Sequence, residues 1–374
     1  METARRRAPQ KPSHVRERGT PEPGGGTLPV LRSKRRRERA LVLALLAVLA
    51  AAALVAVCVG AADISPAELL RALGPVHTPA APQSAVNRAI IWELRLPRVA
   101  LAALVGAALA VAGAAFQALF RNPMADPYVI GVSSGAALGA TLALLLALNF
   151  RFLGVGAVPL LAFTGALGTV AVVYQLGRVG NAVSLLTLLL AGIAVGSFLS
   201  ALVSLLVYFA GQRLHQVVFW LMGGFEGADW SKVRLALPYF ALGTAVILVH
   251  ARELNALLLG EDTALHLGVE VERAKKLLLA GAALLTATAV AVSGLIGFVG
   301  LVVPHALRLL GGPDHRYLIP ASALAGAALL VAADTLARTI IAPTELPVGL
   351  ITSLGGGPFF LYILRNRKKL RLFN

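Results

Sequence analysis

The sequence predicts an all-α protein that crosses a membrane about ten times, and three observations support this class. The chain has 374 residues, of which 57% are hydrophobic and only 14% charged, whereas soluble domains carry roughly 25% charged residues. Its apolar runs approach the ~20 residues that a helix needs to cross a hydrocarbon core of about 30 Å. Lys and Arg are concentrated at the two ends of the chain. Together these features predict a polytopic helical membrane protein.

Ten apolar runs are candidates for membrane spans. The stretch 277–310 counts as two of them, because a single helix of that length would be about 51 Å long, well beyond a tilted span. Ser293-Gly294 offers a break within it. The runs occupy about 40–60, 98–120, 128–148, 155–176, 184–208, 235–251, 277–293, 295–310, 318–337 and 346–364.

The charge distribution predicts that both termini lie in the cytoplasm. Residues 1–39 carry 12 Lys and Arg against 4 Glu, and residues 365–374 carry 5 Lys and Arg with no acid, which is 13 of the formal +16. With both termini inside, 25 of the 34 basic residues fall on the cytoplasmic side, as the positive-inside rule requires. The basicity therefore indicates anchoring beside anionic lipid rather than nucleic-acid binding. We expect a disordered tail over 1–39, a membrane domain over 40–364 and a second basic tail over 365–374.

Three short helices are predicted outside the spans. Ser65-Pro66-Ala67-Glu68 has the capping-box arrangement, in an outer loop that extends over 61–94. The segment Gly211 to Trp230 is apolar but too short to span, and predicts a helix on the outer face. In the longest inner loop, Ala251 to Lys276, two acids after Gly260 begin a helix that Gly268 ends. From composition alone, this inner helix lies on the membrane surface or fits a groove of another protein.

Nothing in the sequence indicates an enzyme. The phosphate-binding pattern G-x-x-x-x-G-K-[ST] and the zinc pattern H-E-x-x-H are absent. Ser133-Ser134 lie between glycines, but serines in membrane helices bond back to the preceding turn more often than they act as nucleophiles. The single cysteine, Cys58, excludes an intrachain disulfide and a multi-cysteine metal site. We therefore expect no catalytic residue, no metal site and no cofactor.

Several segments carry a resemblance to one known family. R-L-P-R begins at Arg95, G-A-A-L-A-x-A-G-x-x-x-Q follows from Gly106, and R-N-P-x-A-x-P-x-x-x-G-V-x-x-G-A follows from Arg121. The inner loop reads G-E-D-x-A-x-x-L-G from Gly260, and the C-terminal half includes ELPVGLITSLGGGPFF from Glu345. Over about 60–364 the chain resembles the FecCD permeases, which belong to ATP-driven importers of iron-siderophores, haem and cobalamin.

The resemblance implies a fold like that of the cobalamin-importer permease, in the cytoplasmic membrane, and a transport role without an ATP site of its own. It implies four partners: a cytoplasmic ATPase, an extracytoplasmic binding protein, a second permease subunit that is identical or paralogous, and the lipid bilayer. Iron-siderophore is the favoured cargo. It further implies docking of the binding protein at Arg95, Arg98 and Arg338; coupling to the ATPase through Gly260, Glu261, Asp262, Thr263, Ala264, Leu265, His266, Leu267 and Gly268; and an inner-face motif of Arg121, Asn122, Pro123, Pro304, His305 and Arg308.

Two other functions remain open from the residues alone. An ion-coupled secondary transporter needs acidic residues deep within its spans, whereas Asp334 lies near a span end with Arg338 four residues on, as an i,i+4 partner. A membrane scaffold that transports nothing would leave the inner-loop motif unexplained. Pro304 is expected to cause or tolerate a helix break.

Overall fold

The computed structural model describes residues 27–60, 64–74, 82–152, 154–180 and 182–365. The helices, in chain order, are α1 (Thr27–Cys58), α2 (Pro66–Leu73), α3 (Pro82–Ala89), α4 (Leu96–Leu119), α5 (Val132–Leu145), α6 (Ala157–Gly177), α7 (Leu185–Tyr208), α8 (Leu214–Met222), α9 (Trp230–Val249), α10 (Ala251–Leu257), α11 (Glu261–His266), α12 (Val271–Ser293), α13 (Val299–Gly311), α14 (His315–Thr339) and α15 (Val348–Arg365). The shorter elements are a π-helical turn (Ile90–Arg95), a 3-10 turn (Gly211–Arg213) and two antiparallel pairs, β1 (Arg151–Phe152) with β2 (Val155–Gly156) and β3 (Arg178–Val179) with β4 (Ala182–Val183).

Within the residues that the structure describes, ten apolar helical stretches form the membrane domain. Seven are long and apolar enough to cross a membrane, and three more, in α5, α13 and α15, are shorter. They occupy the ten predicted positions, so the predicted all-α class with about ten membrane helices is confirmed. α4 and α12 are mostly buried inside the protein, whereas α1 and α7 expose most of their apolar residues. Apolar surface of this extent marks contact with lipid or another subunit.

The first helix begins earlier than the sequence predicts. α1 starts at Thr27, so residues 27–39, expected to belong to a disordered tail, are helical. After Pro29 no glycine or proline interrupts the chain before the apolar run, and Arg, Lys and Glu are good helix formers. Helix therefore propagates outward from the span. The remaining tail residues, 1–26 and 366–374, lie outside the described part of the chain.

The second span is also longer than predicted. Its start was expected at 98 after an outer loop, but one continuous helix runs from Pro82 through α4. Pro97 has no N–H to donate within a helix. The wider π turn directly before it accommodates this, since the Leu96 N–H donates to the Ile91 carbonyl five residues back. Arg95 therefore lies on a helix rather than in a loop.

The two predicted outer helices are present. Ser65 Oγ accepts a hydrogen bond from the Glu68 N–H at 3.3 Å, and the Glu68 carboxylate accepts one from the Ser65 N–H at 2.8 Å. These bonds complete the capping box of α2, and the Ser65 N–H lowers the pKa of Glu68. α8 packs against the end of α12, where the Gly224 N–H donates to the Ser293 carbonyl at 2.8 Å. Gly294 follows with φ 68°, which confirms the predicted break.

Glycines bring the backbones of the central helices together. A Cβ on Gly106 of α4 would overlap the Gly326 carbonyl of α14, and a Cβ on Gly113 would overlap the Gly300 carbonyl of α13. Ala110 lies between them and is fully buried. Small residues at helical spacing permit this approach, which increases van der Waals contact where no hydrophobic effect drives association.

Replacing Gly113 with alanine should destabilise the protein. The added Cβ overlaps the Gly300 backbone, and forced overpacking costs about 1–3 kcal/mol. The matched control is Gly168→Ala on α6, where an added Cβ meets nothing within 4 Å and helix propensity improves by up to about 1 kcal/mol. Thermal unfolding of the two purified variants in detergent compares them directly. Equal melting temperatures would contradict the close approach.

Candidate functional site

The predicted cytoplasmic helix is α11, which lies between two glycines in conformations that L-residues rarely adopt. Gly260 has φ 113° and Gly268 has φ 82°, so each allows a chain reversal that a side chain would strain. Leu265 and Leu267 are 57% and 63% exposed. α11 therefore projects apolar side chains from the inner face, where a folded partner can cover them.

A buried lysine connects α11 to the membrane domain. Lys275, in the first turns of α12, is only 2% exposed. Its Nζ lies 3.0 Å from Glu261 Oε2 at the start of α11 and 2.6 Å from Glu272 Oε1, and it donates to the Val183 carbonyl at 2.9 Å. The second Glu272 oxygen accepts from the Val183 N–H at 2.8 Å. We call these four residues the Lys275 cluster.

The Lys275 cluster joins α11, α12 and the strand β4 at one charge. Val183 ends β4, and α7 begins two residues later at Leu185. A displacement of Glu261 on α11 therefore acts on the starts of both α12 and α7 through one ammonium group. Because the ammonium is buried, removing either carboxylate leaves it poorly compensated. The i,i+3 spacing of Glu272 and Lys275 was a usable sequence signal, but nothing local in the sequence indicates the contact with Glu261.

The inner-face motif is distributed over several contacts. Arg121 has φ 46°, and its Nη1 lies 3.5 Å from the position that a Cβ on Gly260 would take. Asn122 Oδ1 accepts from the Met124 N–H at 3.0 Å and shapes this turn. Arg121 thus lies beside the start of α11. Pro123 and His305 line one small cavity, together with Met124, Leu301, Val302, Phe359 and Phe360.

Pro304 does not break α13, which continues through it from Val299 to Gly311. The expected break is therefore wrong. A proline deprives the carbonyl four residues back of its donor, here that of Gly300. Gln117 of α4 supplies a replacement, since its Nε2 donates to the Gly300 carbonyl at 3.3 Å and to the Leu301 carbonyl at 3.0 Å. Arg308 Nη1 in turn donates to Gln117 Oε1 at 3.0 Å.

The outer arginines converge on a buried carboxylate. Asp334 of α14 is 1% exposed, and Arg98 binds it through Nε at 3.0 Å and Nη2 at 2.8 Å. Arg98 also contacts Glu345 at 2.8 Å. Arg338 Nε lies 3.3 Å from Asp334, the predicted i,i+4 pair. Arg98 is a second partner that the sequence did not indicate.

The same cluster holds the end of α1. Arg95 Nη1 donates to the carbonyls of Val57 and Cys58, and Arg338 Nη2 donates to the Ala56 carbonyl at 2.9 Å. These are last-turn carbonyls without intrahelical partners, and cations stabilise that helix end. The outer arginine cluster, comprising Arg95, Arg98, Asp334, Arg338 and Glu345, thus joins α1, α4 and α14. It brings together the three arginines expected to dock a binding protein, all of them already engaged within the chain.

Comparison with known sequences identifies the family. The sequence profile of the FecCD transport family matches residues 46–366. The chain belongs to the FecCD transport family. It is a multi-pass membrane protein and a permease subunit of an ATP-binding cassette (ABC) importer, and the resemblance in the sequence motifs is confirmed.

Two relatives and one solved structure show the extent of the similarity. The cobalamin import system permease BtuC of Halobacterium salinarum is 52% identical over 279 residues, which cover 75% of this chain and 74% of BtuC. The hemin transport system permease HmuU of Yersinia pestis is 49% identical over 294 residues, which cover 75% of this chain and 84% of HmuU. A solved ABC transporter assigned to the metal-chelate type, in an inward-facing conformation, is 34% identical with a TM-score of 0.77, covering 88% of this chain and 99% of that one.

Asp334→Asn should strongly destabilise the outer end of the fold. The substitution leaves two guanidinium groups, of Arg98 and Arg338, without their buried counter-charge, and breaking a buried ion pair costs about 3–5 kcal/mol. Glu345→Gln removes a carboxylate that is 41% exposed, and should cost less than about 1 kcal/mol. Thermal unfolding in detergent measures both. A smaller loss for Asp334→Asn than for Glu345→Gln would show that Arg98 is held chiefly by Glu345.

Proposed function

We propose that this permease carries a metal chelate across the cytoplasmic membrane, that a separate ATPase drives it through α11, and that an extracytoplasmic binding protein delivers the chelate. The observation that carries the proposal is the Lys275 cluster, which gives an exposed cytoplasmic helix a rigid connection to two spans. A scaffold has no use for such a connection. ATP hydrolysis takes place in the partner, and the chain itself is not an enzyme.

α11 is the proposed contact site of the ATPase. Leu265 and Leu267 are large apolar groups on the inner face, and interface energy concentrates on few such side chains. The glycines at both ends allow the chain to reverse on either side of α11, so that the helix projects between α10 and α12. The residues from Gly260 to Gly268 that match the family spelling are therefore proposed to form one docking element.

Alternating access would follow from motion of α11. A displacement of Glu261 would shift the Lys275 ammonium that is paired with it. Lys275 also donates to the Val183 carbonyl, so the shift would reach the start of α7 two residues later. α7 exposes most of its apolar face, which makes it available to a second permease subunit. We propose that two permease subunits, identical or paralogous, enclose the path along α7, α13 and α15, so that movement of α7 opens or closes it.

The outer arginine cluster is the proposed docking site of the binding protein. It contains three guanidinium groups and two carboxylates, and so keeps a net positive charge that favours an acidic partner. Arg98 retains 15% side-chain exposure and Glu345 retains 41%. A carboxylate of the binding protein would compete with Glu345 for Arg98. We therefore propose that this carboxylate replaces Glu345 at Arg98 when the binding protein docks.

The proposed cargo class is metal chelates, comprising iron-siderophores, haem and cobalamin. Iron-siderophore is the cargo that the sequence resemblance favours, whereas the two relatives named above are permeases for cobalamin and hemin. Uptake of each radiolabelled chelate into vesicles that contain the complete importer, with the unlabelled chelates as competitors, discriminates among them. Uptake of none would overturn the chelate assignment while leaving the family membership intact.

The ion-coupled alternative receives little support from the described spans. Asp334 lies near a span end and is neutralised by Arg98 and Arg338, and Glu272 lies in the first turn of α12 beside Lys275. Neither is an unpaired acid deep in the membrane, which a proton or sodium relay requires. Transport that continues without ATP but collapses with the ion gradient would establish this alternative.

Leu265→Arg should uncouple the ATPase. A charged group in the proposed apolar contact would lower chelate uptake by about tenfold or more, as loss of a central interface residue does, while the isolated permease keeps its melting temperature. The control is Leu70→Arg on α2, where the leucine is 72% exposed on the outer face. Vesicles containing ATPase, binding protein and permease supply the measurement. Unchanged uptake by the Leu265 variant would place the ATPase contact elsewhere.

Lys275→Met should reduce the chelate transported per ATP hydrolysed. The ATPase still binds α11, but the link to α12 and α7 is lost, and coupling free energies correspond to about fivefold or larger effects. Glu261 and Glu272 are 41% and 37% exposed, so water can solvate them and the chain should still fold. Arg273→Gln, at a side chain that is 73% exposed, is the control. An unchanged ratio in Lys275→Met would exclude this route of transmission.

A further inference from the structure

A groove between α6 and α12, with Leu188 of α7 also in its wall, has no assigned role in the proposed transport cycle. Its volume is about 460 Å³, and its walls include Tyr174, Leu279 and Ala283. Ala171 on one wall and Ala280 on the other are exposed. Because these rim side chains are small, the groove opens sideways from the protein, in the direction of the surrounding lipid.

Polar groups occur at the cytoplasmic end of this groove. Lys276 lies five residues after the start of α12, and Tyr174 lies three residues before the end of α6 at Gly177. Both residues line the groove, one on each of the two helices and each near the cytoplasmic end of its helix. Lysine and tyrosine are typical of the membrane interface, where an apolar stem meets lipid and a polar tip meets headgroups.

The charge on Lys276 is only partly balanced within the described part of the chain, by its electrostatic interaction with Glu272. Lys275, its neighbour, is matched by Glu261 and Glu272. By contrast, among the described residues no carboxylate oxygen lies within 4.0 Å of the Lys276 ammonium. A half-buried cation at the mouth of an apolar groove is complementary to an amphiphile with a negative head.

The length of the groove favours an acyl chain over a protein helix. Along α12 the groove extends from Lys276 to Leu284, eight residues or about 12 Å. A second transmembrane helix crosses a hydrocarbon core of about 30 Å, more than twice that length. A chain of methylene groups suits a short apolar groove that ends at a cation.

We propose that the groove binds one phospholipid with an anionic headgroup. One acyl chain lies between α6 and α12, the headgroup pairs with the Lys276 ammonium, and the Tyr174 hydroxyl donates to it from the opposite wall. The site does not depend on the cargo or on the partner proteins. It adds to the transporter a bound lipid one residue away from the Lys275 cluster.

Native mass spectrometry of the purified full-length permease tests this site with two probes, phosphatidylglycerol and phosphatidylcholine. Lys276→Gln should lower retention of phosphatidylglycerol about fivefold, the effect of one lysine beside an anionic surface, and leave phosphatidylcholine unchanged. Ala280→Phe should lower retention of both lipids, because it fills the groove. Arg273→Gln, one turn away on the same helix and 73% exposed, should match the unsubstituted protein.

Several results would overturn the proposal. Equal phosphatidylglycerol retention by Lys276→Gln and Arg273→Gln would show that the lysine selects no headgroup, and full retention by Ala280→Phe would show that the groove holds no chain. A second copy of the permease in the groove would also overturn it. Ala280→Cys combined with Cys58→Ser tests that occupant, because a copy packed there would form a disulfide-linked dimer on mild oxidation.

Discussion

The fold depends on the contact of backbones at the glycines of α4. Gly106 against Gly326 and Gly113 against Gly300 bring α14 and α13 closer than any side chain would allow. In a membrane this proximity matters more than in water, because dispersion and polar contacts must hold helices together without help from the hydrophobic effect. The remaining helices are arranged around this centre, and α1 and α7, which expose most of their apolar residues, lie at its edge.

Polar clusters fasten the same core at its two ends. At the outer end, Arg95 and Arg338 donate hydrogen bonds to the last-turn carbonyls of α1. Arg98 and Arg338 both pair with Asp334 of α14. At the inner end, the Lys275 cluster fastens α11 to α12 and to the start of α7. Each of the two clusters contains a buried charge that contacts backbone carbonyls, so breaking either cluster is costly. The helices that a cluster joins can still move together as one rigid unit.

The features that could be predicted from the sequence are those with local causes. The ten apolar runs, the capping box at Ser65 and the break at Ser293-Gly294 depend on neighbouring residues, and all are present. The starts of α1 and of the second span were wrong, because an arginine-rich segment propagates helix and a π turn accommodates Pro97. On the inner face, the sequence motif from Gly260 to Gly268 indicated the helix α11. Contacts such as Lys275 with Val183, 92 positions apart, depend on the tertiary fold and have no local signal.

Lys275 and Lys276 are consecutive on α12, yet one lies inside the protein and the other lines a groove open to lipid. Successive residues of an α-helix point about 100° apart. Which of the two lysines faces the protein interior therefore depends on how α12 is rotated about its axis. Deleting one residue between Gly268 and Lys275 would turn the Lys276 ammonium toward Glu261, and inserting one would turn Ala274 toward it. A substitution in this segment outside the Lys275 cluster should therefore disturb the inner face less than a change in the segment's length.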